Sequence, residues 1–374
     1  MTRTSPVAVR SSLAICRQRI NYKNNCLLFL FPFAAVIKIF QFTVLPDKYF
    51  YDSGRILAMV LNPNTFLSWG GSYKVAADFF RAINLLHFDT LMEWSFFVAV
   101  VGNFILFFML SRMNPPDGKQ FFFLICSIAL LNLYVFNISK DIIQFLFFFV
   151  LYLILLSPIQ KSGVKVFLCV CTLLLASIFF KSYYMLIAGF GLLIYLIFRT
   201  MRKKHTLFEV LAVLLICIAA FLIIAQIVVP NMYLKLVNAR SVNDNRVNDP
   251  DAVTIINNLI GGSGVGIYFL NLIINIFRIM FPVELLTKGI IYTPFIVYQI
   301  MVTTYIISLL LRLRNIQEKR QFIALCLFLG YTIASATFEP DFGSWVRHES
   351  STFPLLILCI LPYQKRTTLY QTNY

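Results

Sequence analysis

Ten apolar runs set the pattern of the chain, near 27–45, 93–111, 120–136, 142–158, 165–180, 183–199, 207–229, 289–311, 321–338 and 351–363. They are apolar all round and do not alternate, which predicts buried helices and argues against barrel strands. Several fall short of the ~20 residues that cross ~30 Å of hydrocarbon, so flanking polar residues must complete those crossings. A further run, Tyr268–Phe281, carries Asn271, Asn275 and Arg278 and stops at Pro282. It lies in a stretch that must begin and end on one side, and reads as an outer re-entrant or interfacial helix. The expectation is an all-α, polytopic integral membrane protein. It has about ten transmembrane helices in a single domain, 1–374, with outer loops at 46–92 and 230–288.

Composition strengthens this picture. Of 374 residues, 59% are apolar and 13% charged, and phenylalanine occurs 39 times. Soluble proteins average about 45–50% and about 25%, so a water-soluble enzyme is excluded. The net charge of +16 would suggest nucleic acid until the charges are placed along the chain. With the N-terminus inside, 19 of the 32 Lys and Arg fall on the inner side and 13 of the 16 acids on the outer side. The basic excess is therefore a topology signal with both termini cytoplasmic, and no nucleic-acid partner is expected. Basic residues before the first apolar run mimic a signal peptide, but no small-residue cleavage site follows, so a retained first helix is expected. The 8 cysteines lie in or at the ends of apolar runs or in the N-terminal tail, which predicts no disulfide framework.

The inner loops are short and basic, so candidate chemistry falls on the outer side. The polar tip Glu339–Ser351 precedes an apolar run too short to cross unless its helix starts near Trp345. That places Arg347, His348 and Glu349 at or below the lipid boundary, where charged groups must face a cavity and find partners. The plain alternative is an Arg–Glu pair that anchors a helix end. Lys140 and Asp141, and Lys181, sit on tight hairpins between short runs. Each lysine alone could snorkel; with Arg347 and Arg278 they make a cationic pocket for a phosphate group. Asp52 and Arg55, in Tyr-Phe-Tyr-Asp-Ser-Gly-Arg, offer a general base and an orienting arginine, or an ordinary surface loop. Lys38 lies mid-helix and reads most simply as a snorkelled lysine. The glycines at 261, 262, 264 and 266 lack the Lys-Ser/Thr of a phosphate loop and read as a hinge or close contact. His87, His205 and His348 are scattered, and no covalent-catalysis motif occurs. No metal or other cofactor is expected.

Three stretches carry a resemblance: Asn-x-Ser-Lys-Asp (Asn137–Asp141), Lys-Ser-Tyr-Tyr (Lys181–Tyr184) and Glu-Pro-Asp-Phe-Gly-Ser-x-x-Arg-His (Glu339–His348). With the many spans, they resemble Wzy/EpsG-type polysaccharide polymerases. The resemblance implies transfer of a growing glycan from undecaprenyl pyrophosphate onto a new lipid-linked repeat unit. That reaction builds O-antigen or capsule on the outer face of the bacterial inner membrane, with membrane lipid and a chain-length regulator as further partners. Related enzymes often have one very large outer loop, whereas two middling loops share the space here. On this reading Arg347, Lys140, Lys181 and Arg278 hold the pyrophosphate, with Asp141 and Arg55 beside them. Asp52, Glu339, Asp341, His348 or Glu349 supplies the base, Asp341 and His348 foremost. Trp69, Tyr73 and Trp345 either stack on sugars or form an interfacial aromatic belt. The alternatives are a membrane glycosyltransferase that uses a polyprenyl-phosphate sugar and, more remotely, a lipid-glycan flippase or transporter.

Overall fold

The computed structural model describes residues 6–46, 50–64, 71–231, 233–234, 236–238, 254–339 and 341–361, with side chains from residue 21 onward except Ile291. Trp69, most of the 230–258 loop and both extreme termini lie outside the described residues. The described elements are helical: α1 Pro6–Val44, α2 Tyr51–Leu61, α3 Gly71–Ile83, α4 Leu91–Ser111, α5 Gly118–Leu130, α6 Lys140–Leu156, α7 Ser162–Phe179, α8 Tyr184–Met201, α9 Leu207–Val228, α10 Val265–Met280, α11 Thr293–Leu311, α12 Lys319–Phe338, α13 Phe342–Ser351 and α14 Phe353–Ile360. Eight of them, with α1 counted from Asn21 and α5 extended to Val135, are long and apolar enough to cross a membrane. That is the signature of a polytopic membrane protein.

Local sequence explains where several helices start. Thr90 with Glu93, Asp117 with Gln120 and Thr206 with Glu209 form capping boxes at the heads of α4, α5 and α9. In each, a side-chain oxygen satisfies a backbone N–H that has no helical partner. The apolar run 351–363 does not form one helix. Thr352 separates α13 from α14 and Pro354 lies in the first turn of α14, where a proline N–H is not needed. The run 120–136 is interrupted as well: α5 ends at Leu130 and a π-helical turn, Leu131–Val135, follows.

The core runs through α12, whose residues from Phe322 to Thr337 are nearly all buried. A helix apolar on every face belongs at the centre of a bundle. It packs most closely on α8, where a Cβ at Gly330 would stand 2.5 Å from the Gly191 backbone nitrogen. Helices α6, α13 and α14 pack into the same core. The polar heads of α6 and α13 thereby meet, and this brings the candidate residues together.

Candidate functional site

Several candidate side chains sit at the end of an element or in a short connection. Lys140 and Asp141 open α6, Lys181 lies between α7 and α8, and Glu339 follows α12. Arg347 and His348 lie on α13, while Asp52 belongs to the short helix α2.

Asp52 is the hub on one side. Its carboxylate accepts from the Tyr73 hydroxyl at 2.8 Å and from Arg347 Nη1 at 2.9 Å, and lies 3.4 Å from Lys140 Nζ. Lys140 also donates to the Tyr73 hydroxyl at 2.8 Å. Burial alone would raise the Asp52 carboxyl, but the Lys140 and Arg347 cations and the Tyr73 and Arg347 hydrogen bonds hold it well below the usual carboxylate range. Asp52 is therefore an anion that organises two cations and is a poor proton acceptor.

His348 is the hub on the other side. Its Nδ1 lies 2.7 Å from Glu339 Oε1, its Nε2 3.4 Å from Lys181 Nζ and 3.5 Å from Asp141 Oδ1. A carboxylate at 2.7 Å fixes the proton on Nδ1, which leaves Nε2 with its lone pair toward Lys181 and Asp141. Gln144 donates to the His348 carbonyl at 3.0 Å and accepts from the Tyr183 hydroxyl at 3.1 Å. Ser351 donates to the Asp141 carbonyl at 3.2 Å, which ties α13 to the head of α6. Burial and then neighbouring Lys140 lower the Lys181 ammonium to about 8, although Asp141 and Glu339 pull the other way.

The structure thus joins Asp52, Lys140, Asp141, Lys181, Glu339, Arg347 and His348 in one cluster. The other candidates make different contacts. Arg278 is held in α10 by a two-pronged pair with Glu284, at 2.8 and 2.7 Å, and donates to the Asn257 carbonyl. Arg55 stacks on Tyr51, 4.3 Å from its ring centre, and lines an apolar groove of about 570 Å³ with Phe42, Phe50 and Met92. Asp341 is the N-cap of α13, accepting from the Ser344 backbone N–H at 2.7 Å and its hydroxyl at 3.3 Å. Glu349 is fully buried and accepts from Gln299 Nε2 at 3.1 Å. Trp345 is neither a sugar platform nor part of an interfacial belt. It is fully buried, stacks on Tyr331 at 5.6 Å and donates to Gln299 at 3.2 Å. Tyr73 serves the cluster through its hydroxyl.

Gln144, Tyr183 and Tyr73 as a hydrogen-bonding residue were not anticipated. Gln144 had a signal, since it stands four residues after Lys140 on one helix face. Among the described residues no group of histidine, cysteine and acid side chains could hold a metal ion. No family model matches the chain, and no curated protein or solved structure matches it.

Proposed function

We propose that this chain polymerises lipid-linked oligosaccharides by glycosyl transfer from a polyprenyl diphosphate, at the outer face of a bacterial inner membrane. The observation that supports this most is the meeting of Lys140, Lys181 and Arg347, from three distant segments, with a Glu339–His348 dyad. Glycosyl transfer from a diphosphate needs a base at the acceptor hydroxyl and cations where charge develops on the leaving group. His348 Nε2 takes the acceptor proton as the new glycosidic bond forms and the sugar–diphosphate bond breaks. Lys140, Lys181 and Arg347 hold the departing diphosphate, whose oxygens replace Asp52 on two of these cations. The lipid carries the activation, so the reaction requires no nucleotide. On this reading the chain crosses the membrane ten times with both termini in the cytoplasm. Helix α6 and the α13–α14 unit complete the count, and α10 stays on the outer side.

The deciding experiment is a gel of glycan length from cells in which Arg347→Ala replaces the native protein at equal membrane abundance. Collapse of long chains to a single repeat unit is the expected result; an unchanged ladder refutes the assignment. The place of Asp52 just beyond α1 also suits a transferase that uses a polyprenyl-phosphate sugar, and deletion separates the two. Loss of all polymer marks the polymerase, loss of one branch sugar the transferase.

A further inference from the structure

Lys38 does not snorkel. It is 2% exposed, and its ammonium lies within hydrogen-bond reach of four oxygens: Gln41 Oε1 at 2.8 Å, the Asn132 carbonyl at 3.0 Å, the Phe136 carbonyl at 2.7 Å and Asn137 Oδ1 at 2.7 Å. All four are neutral, so ion pairing does not explain the lysine's place. The backbone does. At the end of α5 the helical register slips by one residue, and the Phe136 N–H bonds to the Leu131 carbonyl at 2.8 Å. The Asn132 carbonyl, which a regular helix would have satisfied with that N–H, is left over. The chain then leaves the helix through Phe136–Ser139, all buried, so their carbonyls have no water to turn to. Non-helical backbone at such depth persists only where the protein supplies partners. An ammonium with three protons meets several orphaned oxygens converging on one point, which a neutral amide could not.

We propose that Lys38 is a positioning residue. By gripping the slipped end of α5 it fixes the 136–139 turn and so sets where Lys140 and Asp141 stand in the cluster. Gln41, one turn along α1, supports the same grip by donating to the Leu133 carbonyl at 2.9 Å. Ser95 of α4 shares Asn137 Oδ1 at 2.7 Å. On one side the turn is thus pinned to α1 and α4. Immediately after it, Lys140 reaches Asp52 and Tyr73, and Asp141 faces His348.

Two measurements on the full-length protein in lipid nanodiscs test this. The first is hydrogen–deuterium exchange of Lys38→Met. Exchange of the amides at 136–142 should quicken at least about tenfold, the loss of local protection expected when a buried anchor goes, while α8 and α12 stay unchanged. Unchanged protection at 136–142, or a rise throughout the bundle, overturns the proposal. If Lys38→Met does not accumulate, Gln41→Leu must show the same localised rise, and its absence is equally decisive. The second is a double-mutant cycle on glycan transfer, which rests on the polymerase reading. If Lys38 acts through the hairpin, Lys38→Met with Lys140→Met should be no slower than the slower single variant. Losses that multiply mean that Lys38 acts elsewhere. A chain without polymerase activity but with localised loosening would remove the function and leave the role of Lys38 intact.

Discussion

Arg347 and Asp52 stand 295 positions apart in the chain and 2.9 Å apart in the fold. One comes from the C-terminal helix pair and the other from the first helix after α1, so the bond closes the polar cluster across the whole sequence. Lys140 shares the same carboxylate oxygen at 3.4 Å. The Asp52 carboxylate therefore sets the spacing of two cations that would otherwise repel each other. Removing it by Asp52→Asn should lower transfer roughly tenfold or more, the cost usual when one partner of a half-buried charge pair is deleted. Asp52→Glu should recover part of the loss. An initial-rate assay on purified lipid-linked substrate checks both, and wild-type rates for the Asn variant would dismiss the spacing role.

The same carboxylate makes a statement about pH. Its folded value is depressed, so its stabilising contribution is complete above the ordinary value of 3.8 and is lost only as pH falls through the lower folded value. Acidification from neutrality to about pH 5 should therefore leave the Asp52 pairs intact. Any loss of transfer over that span belongs to a group other than Asp52. The pH–rate profile of Asp52→Asn should keep the wild-type acid limb.

In the proposed mechanism His348 is the base. As the base, its replacement by Gln should cost between about 10² and 10⁴ in rate, the range for general-base removal, with little change in donor KM. Glu339→Gln leaves the ring in place but weakens the hold on its Nδ1 proton at 2.7 Å, so it too should lower kcat more than it raises KM. Equal loss in both variants through KM alone would move the two residues from proton transfer to binding.

Lys181 governs the alkaline side. Its ammonium is lowered to about 8, so it is cationic below that pH and becomes neutral above it. Diphosphate binding should weaken as pH rises through about 8. Lys181→Arg, whose guanidinium stays charged, should carry tight binding to higher pH. A donor KM that is flat from about pH 7 to 9.5, across the shifted value and toward the free lysine value of about 10.4, would take Lys181 out of the phosphate site.

The apolar runs made the helices legible, because an uninterrupted run at helical length has few other solutions in lipid. The length argument also found Lys140, Lys181, Arg347 and His348, since short runs draw their polar ends toward the bundle. Arg278, which joined the cationic pocket without that argument, pairs instead with Glu284, only six residues away across Pro282, a pairing that hydrophobic periodicity does not register. The reading of Trp345 as a sugar platform or belt residue failed, because an aromatic near a helix head looks the same in sequence whether it faces lipid, sugar or Tyr331. The Lys38 cage was out of reach for a different reason. Two of its four acceptors are backbone carbonyls, left over where the helix slips register and ends, and backbone oxygens leave no mark in a sequence.

Two glycines separate packing from flexibility. At Gly330 a Cβ would lie 2.5 Å from the Gly191 nitrogen and 2.7 Å from its Cα, both backbone atoms that no side-chain rotation can move aside. Gly330→Ala must therefore push α8 from α12, at the centre of the bundle. Overpacking of this kind costs about 1–3 kcal/mol. At Gly54, on α2, an added Cβ meets nothing within 4 Å. Gly54→Ala should be neutral or stabilising by about 0.4–1 kcal/mol, through reduced freedom of the unfolded chain. Thermal unfolding in detergent, with both variants beside the native protein, reads the difference directly. Gly330→Ala should unfold several degrees earlier and Gly54→Ala at or above the native midpoint. Because Gly330 lies in the interior of α12, its loss should lower abundance without changing donor KM in the protein that remains folded. A KM shift in Gly330→Ala would instead mean that the α8–α12 contact sets the position of Lys181, which stands three residues before α8.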